Sequence, residues 1–86
     1  MEKSEILKKL NIIFIDTFDN DSIVLTYDTS ATDLEDWDSF NHIQLVVAME
    51  EEFNIKFTAK EIQSWGNVGE TIDCIISKNA WSKIKW

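Results

Sequence analysis

The chain holds no proline and only two glycines, Gly66 and Gly69, among 86 residues. Hairpins and tight turns draw on those two residue types for fixed or left-handed backbone, so a sheet of many short strands has little to turn with. Helices joined by segments rich in Asp, Asn, Ser and Thr remain as the natural solution. Hydrophobic residues make up 44% of the chain, as in an ordinary globular domain, so most of it is expected to be ordered. The length predicts one domain, residues 1–86, with a small core. An enclosed active site with its own pocket is hard to build at this size, which favours a role that depends on partners.

Residues 4–18 place Ile6, Leu10, Ile13 and Phe14 at helical spacing, and Glu5 stands where it can pair with Lys9 one turn on. The polar run at 19–22 ends this helix. A long connection over about residues 19–37 follows, with Ile23, Leu25, Tyr27 and Leu34 as apolar anchors. Its aspartates suggest a calcium loop, but the EF-hand pattern needs a central glycine and a closing glutamate, and the connection has no glycine. No metal site is expected.

Asp38 is a good N-cap for a second helix over about 39–53, with Ser39 at the first helical position. Leu45, Val46, Met49 and Phe53 form a stripe expected to face the core. Phe40, Ile43 and Val47 form another, expected at the margin. Thr58-Ala59-Lys60-Glu61 is a capping box that opens a short helix over about 58–64. Asn67-Val68-Gly69-Glu70 repeats that logic and opens a last helix with Val68, Ile72, Ile75 and Ile76 inward. Trp81 is expected to pack on the bundle and Trp86 to fray. The predicted fold is all-α: a four-helix bundle with one short helix and a long first connection.

The net charge is −8, and its distribution is uneven. Residues 1–30 carry −3, residues 31–53 carry −7 with no base at all, and residues 54–86 carry +2. A field of that sign repels nucleic acid and acidic membranes and draws basic partners. Arginine is absent, so bidentate phosphate clamps are too. Cys74 is the only cysteine, which excludes an internal disulfide, and its isoleucine neighbours predict a buried structural thiol. The sequence shows no signal peptide or spanning segment, so a cytoplasmic monomer is expected. The sequon at Asn20-Asp21-Ser22 would go unused there.

Ser39 admits three readings. It can be a helix-start residue and nothing more. It can be a nucleophile with His42 as base, but consecutive residues at one helix start rarely provide an orienting acid, an oxyanion site and a pocket. His42 is expected instead on the surface beside a partner-binding region. Thirdly, Ser39 can be an attachment site. A helix start favours a phosphate ester through its free N–H groups and dipole, and an exposed hydroxyl is within reach of another enzyme. Phe40, Ile43 and Val47 would offer an apolar contact, and the surrounding acids would speed encounter.

At these residues the sequence resembles the acyl carrier protein family, which carries an Asp-Ser-Leu motif at the start of its second helix. Here the motif is Asp38-Ser39-Phe40. The similarity continues through "IQLVVAMEEEFNIKF" at 43–57 and "VGETIDCII" at 68–76, and is clear over about residues 33–77. It implies a 4′-phosphopantetheine arm on Ser39, delivered from coenzyme A by a phosphopantetheinyl transferase with Mg²⁺, and an acyl group held on the arm's thiol. It implies a carrier with no catalytic activity of its own, supported in modification by Asp38. Phe40, Ile43, Val47, Glu50 and Glu51 would meet acyl-loading and acyl-transfer enzymes through their basic surfaces. It also implies a bundle interior able to shelter the acyl chain.

The sequence departs from the fatty-acid carriers at Phe40 in place of leucine and at Asn41, Gln44, Ala59 and Gln63 in place of acids. Trp37 and Trp65 replace small residues at or near the pocket mouth. A specialised lipid or secondary-metabolite pathway is therefore expected. The alternatives are an aminoacyl or peptidyl carrier, which is generally less acidic, and an unmodified interaction module of the same fold.

Overall fold

The computed structural model describes residues 2–35 and 37–84, with side chains described as far as Lys78. Four α-helices account for most of these residues: α1 (Lys3–Phe18), α2 (Ser39–Phe53), α3 (Ala59–Ser64) and α4 (Val68–Ile84). No strand occurs among the described residues. The connection between α1 and α2 also holds a short 3₁₀ turn at Ala31–Asp33, which the helical periodicity did not predict. Ser30 caps it, and the Asp33 side chain accepts from the Ser30 N–H.

Helices α1 and α2 both stop without glycine. Asp19 and Asn54 adopt left-handed backbone, φ 52° and 54°, and their N–H groups return to the carbonyls of Ile15 and Glu50. Asp and Asn tolerate this conformation better than most residues because their short polar side chains support it locally. Thr58 and Glu61 form the expected capping box on α3, and Asn67 Oδ1 accepts from the Glu70 N–H at the start of α4.

The core gathers Ile6, Leu10, Ile13 and Phe14 from α1 with Leu45, Val46, Met49 and Phe53 from α2 and Val68, Ile72 and Ile75 from α4. Ile76 is only partly buried at its edge. The side chain of Trp81 and all of Trp86 lie outside the described residues. Lys9 pairs across helices with Glu52, 3.2 Å away, rather than with Glu5 as its spacing suggested. Its stem reaches α2 because the two helices pack side by side.

The connection is fixed at both edges. Ile23 and Leu25 are buried, and Asn11 of α1 grips the chain between them: its Nδ2 donates to the Ile23 carbonyl, and its Oδ1 accepts from the Leu25 N–H. Further along, the Thr29 carbonyl accepts from the Val68 N–H and the Tyr27 carbonyl from the Gly69 N–H, each at 2.8 Å. These N–H groups belong to the first turn of α4 and have no partner within the helix. Tyr27 therefore anchors through its backbone, and its ring stays largely outside the core, 41% exposed. The close approach leaves no room at Gly69, where a Cβ would stand 2.9 Å from the Tyr27 carbonyl oxygen.

Helix α3 is pinned to α4 by Glu61 and Lys78, 2.8 Å apart and both half-buried. The Lys78 hydrogen bond, and then the Thr58 N–H, hold the Glu61 carboxyl below its ordinary value of 4.5. Burial pushes the thiol of Cys74 up, as fits a structural cysteine, although its side chain is half-buried rather than fully enclosed.

Two outcomes follow from this packing. Gly69→Ala should cost about 1–3 kcal/mol in urea denaturation, because backbone must move, as in an overpacked core. Gly66→Ala should cost clearly less, since there a Cβ meets only the carboxylate end of the Glu70 side chain, which can shift where backbone cannot. Equal losses would contradict the close-approach account. Glu61, whose folded value is depressed, adds stability that is complete above its unfolded value and lost as pH falls through the folded one. Stability should thus decline below pH 4.5, and Glu61→Gln should flatten part of that decline. Parallel acid profiles for the two proteins would remove the pair from the account.

Candidate functional site

The N-terminus of α2 is set by Asp38. Its backbone is extended, its side chain accepts from the Asn41 N–H at 2.8 Å, and its carbonyl accepts from the His42 N–H at 2.8 Å. The helix therefore begins at Ser39, as the sequence predicts, and Ser39 is exposed. By helix geometry the N–H groups of Ser39 and Phe40 have no acceptor within the helix, so this end is electropositive at close range despite the acids around it.

Ser39 stands on the rim of an open groove of about 530 Å³ between α2 and α3. Ile43 and Ile62 line its sides, and Trp37, His42 and Trp65 form its aromatic wall. His42 departs from the surface position expected of it. It is half-buried, and both ring nitrogens are engaged: the Trp37 indole N–H donates to Nδ1 at 2.9 Å, and Nε2 lies 3.4 Å from the Ile62 carbonyl. An indole nitrogen can only donate and a carbonyl can only accept. In this arrangement Nδ1 accepts and Nε2 is the ring nitrogen that can donate, toward the Ile62 carbonyl. Neither nitrogen is left to take a proton from Ser39, so a nucleophilic Ser39–His42 pair has no geometric basis.

The other face of α2 is apolar and open. Phe40, Ile43 and Val47 are 70%, 61% and 48% exposed, well outside the core that their neighbours Leu45, Val46 and Met49 fill. A second groove runs beside Phe40 and Val47, with Asp16 of α1 and Glu51 of α2 among its lining acids. Glu51 is exposed, as expected of a recognition residue. Glu50 is not a free acid: its Oε2 accepts from the Phe57 N–H at 2.8 Å and shapes the turn into α3. Sequence reasoning also missed Asp16 and Ile62. Nothing in helical periodicity marks Asp16 as a neighbour of α2, and Ile62 contributes a backbone atom that no side-chain pattern reports.

No family model matches the chain. Individual relatives do. An acyl carrier protein of Petrotoga mobilis is 31% identical over 78 residues, covering 91% of this chain and 92% of the relative. One from Cyanidium caldarium is 34% identical over 76 residues, 88% of each chain. One from Thermosynechococcus vestitus is 30% identical over 80 residues, 93% of this chain and 99% of that one. In three dimensions the chain resembles the solution structure of a holo acyl carrier protein from Geobacter metallireducens, with a TM-score of 0.82 and 45% identity over 88% of this chain and 87% of the other. The four helices, the exposed serine opening α2 and relatives that align along nearly the whole chain lead to one assignment: the chain belongs to the acyl carrier protein family.

Proposed function

We propose that Ser39 carries a 4′-phosphopantetheine arm and that the protein delivers acyl groups between partner enzymes. The observation that carries this reading is the exposed hydroxyl at the first position of α2, directly after the capping Asp38. The residues fit the group. The N–H groups of the first turn suit a phosphate ester, and the groove beside Ser39 offers apolar walls to the chain beyond it. The arm, when attached, supplies a thiol that holds the acyl group as a thioester. In its attachment the Ser39 oxygen bonds to the pantetheine-side phosphorus of coenzyme A and gives its proton to a base of the transferase, the pyrophosphate bond breaks, and 3′,5′-ADP leaves with the electron pair. Asp38 holds the helix start in place and directly precedes the reacting residue, and its carboxylate would serve the transferase near Mg²⁺.

Partner recognition falls to Phe40, Ile43, Val47 and Glu51. An apolar surface flanked by acids suits enzymes with basic rims around an apolar contact, and the charge speeds their approach. Glu50 contributes chiefly by shaping the turn that presents α3. A specialised pathway is part of this reading. It is supported by Phe40 and by the uncharged Asn41, Gln44, Ala59 and Gln63, which narrow the acidic surface around Ser39.

Intact-protein mass after incubation with coenzyme A, Mg²⁺ and a broad-specificity transferase tests the arm. Wild type should gain one phosphopantetheine, and Ser39→Ala should gain none while keeping its helical circular dichroism. A modified Ser39→Ala protein would overturn the assignment of the arm to this residue. Salt tests the surface. Between 0.1 M and 1 M the screening length shrinks from about 10 Å to about 3 Å. Stopped-flow association with the transferase should slow about tenfold or more over that range, and Glu51→Gln should weaken the dependence. On-rates indifferent to salt would take electrostatic steering out of the reading.

A further inference from the structure

The aromatic wall of the groove is one part of a longer row. Phe14 of α1 meets Trp37 edge-on with ring centroids 5.0 Å apart, and Trp37 stacks near His42 at 6.1 Å. His42 meets the edge of Trp65 at 6.0 Å, and Trp65 meets Phe57 at 4.8 Å. Five rings thus run from α1, past the start of α2, to the turn before α3. The row lies between the groove and the core: Phe14 belongs to the core, Trp37, Trp65 and Phe57 pack against it, and Trp37, His42 and Trp65 line the groove. On one side is the open groove beside Ser39. On the other are Leu45, Met49 and Val68, each almost fully buried.

Hydrogen bonds tie the row together. Trp37 donates to His42, and His42 reaches the Ile62 carbonyl of α3, so the imidazole spans the seam between α2 and α3. A chain passing from the groove into the core would have to part these rings. The indole N–H and the imidazole would then lose each other as partners, a cost that an ordinary apolar seam does not impose.

We propose that Trp37, His42 and Trp65 act as a closed partition, so that a cargo borne on Ser39 stays in the surface groove and does not enter the core. This rests on the arm assignment to Ser39. The groove is open and ring-walled, with Ile43 and Ile62 beside the rings. It suits short or flat acyl groups, whose apolar surface the rings and isoleucines can cover, and leaves the far end of a long alkyl chain in water. Trp37, His42 and Trp65 are therefore positioning residues that set cargo length without touching the reacting thioester.

The test compares holoprotein loaded with butanoyl and dodecanoyl groups, each confirmed by intact mass, using methyl NMR of Leu45, Ile72 and Ile75. In wild type the core methyl signals should be the same for both cargoes, and the Trp37 indole N–H signal should persist. In His42→Ala, with helical circular dichroism retained, the dodecanoyl form should shift those core signals and the butanoyl form should not. Core shifts with dodecanoyl in wild type, or a folded His42→Ala that behaves as wild type does, would overturn the partition. If His42→Ala does not fold, the wild-type comparison decides alone. If no mass gain occurs at Ser39, the arm assignment fails instead. The partition is then read from a Ser39→Cys, Cys74→Ser protein carrying butyl or dodecyl disulfides, with the same core signals deciding.

Discussion

The start of α4 is where the molecule is tied together. Its first N–H groups need acceptors, and two come from the carbonyls of Tyr27 and Thr29 in the long connection. Buried backbone donors are costly to leave unpaired, so this contact holds the connection against the bundle as firmly as its apolar anchors do. Gly69 permits the approach because it has no Cβ. With the connection seated there and on Asn11, its far end arrives at α2 in a defined place. Trp37 then packs on Phe14, and Asp38 caps the helix that Ser39 opens.

The site inherits two properties from this arrangement. Ser39 is presented, exposed, at the start of a helix that Asp38 caps. The residues around it divide by direction. Toward solvent lie Phe40, Val47 and Glu51, apolar with an acid at the edge, and Ile43 stands between the two sets on the side of the groove. Toward the seam lie Trp37, His42 and Trp65, which hold α2 and α3 together through rings and hydrogen bonds. The first is the surface proposed to meet partners, and the second is the one proposed to bound the cargo.

Acids that look alike in the sequence also divide by structure. Glu50, Glu51 and Glu52 form one run, yet Glu50 caps a turn, Glu52 pairs with Lys9, and Glu51 faces solvent. Neighbours on a helix point about 100° apart, so three consecutive carboxylates meet three different surroundings. Glu61 likewise serves its capping box and Lys78 at once. The charge of the 31–53 segment is thus larger than the charge its surface offers to partners.

The helices, their caps and the core stripe are legible in the sequence because they depend on local spacing: Asp38, Thr58 and Asn67 each cap the helix they precede, and Leu45, Val46, Met49 and Phe53 all lie inside. The sequence also placed Ser39 at a helix start and, through resemblance, named the family. The tertiary structure alone decided what His42 does, since its partners are an indole five residues before it and a carbonyl on another helix. It alone decided which glutamate is free, that Lys9 reaches α2, and that the connection caps α4. Each of these depends on a contact between segments distant in the chain, and helical periodicity carries no information about which faces will meet.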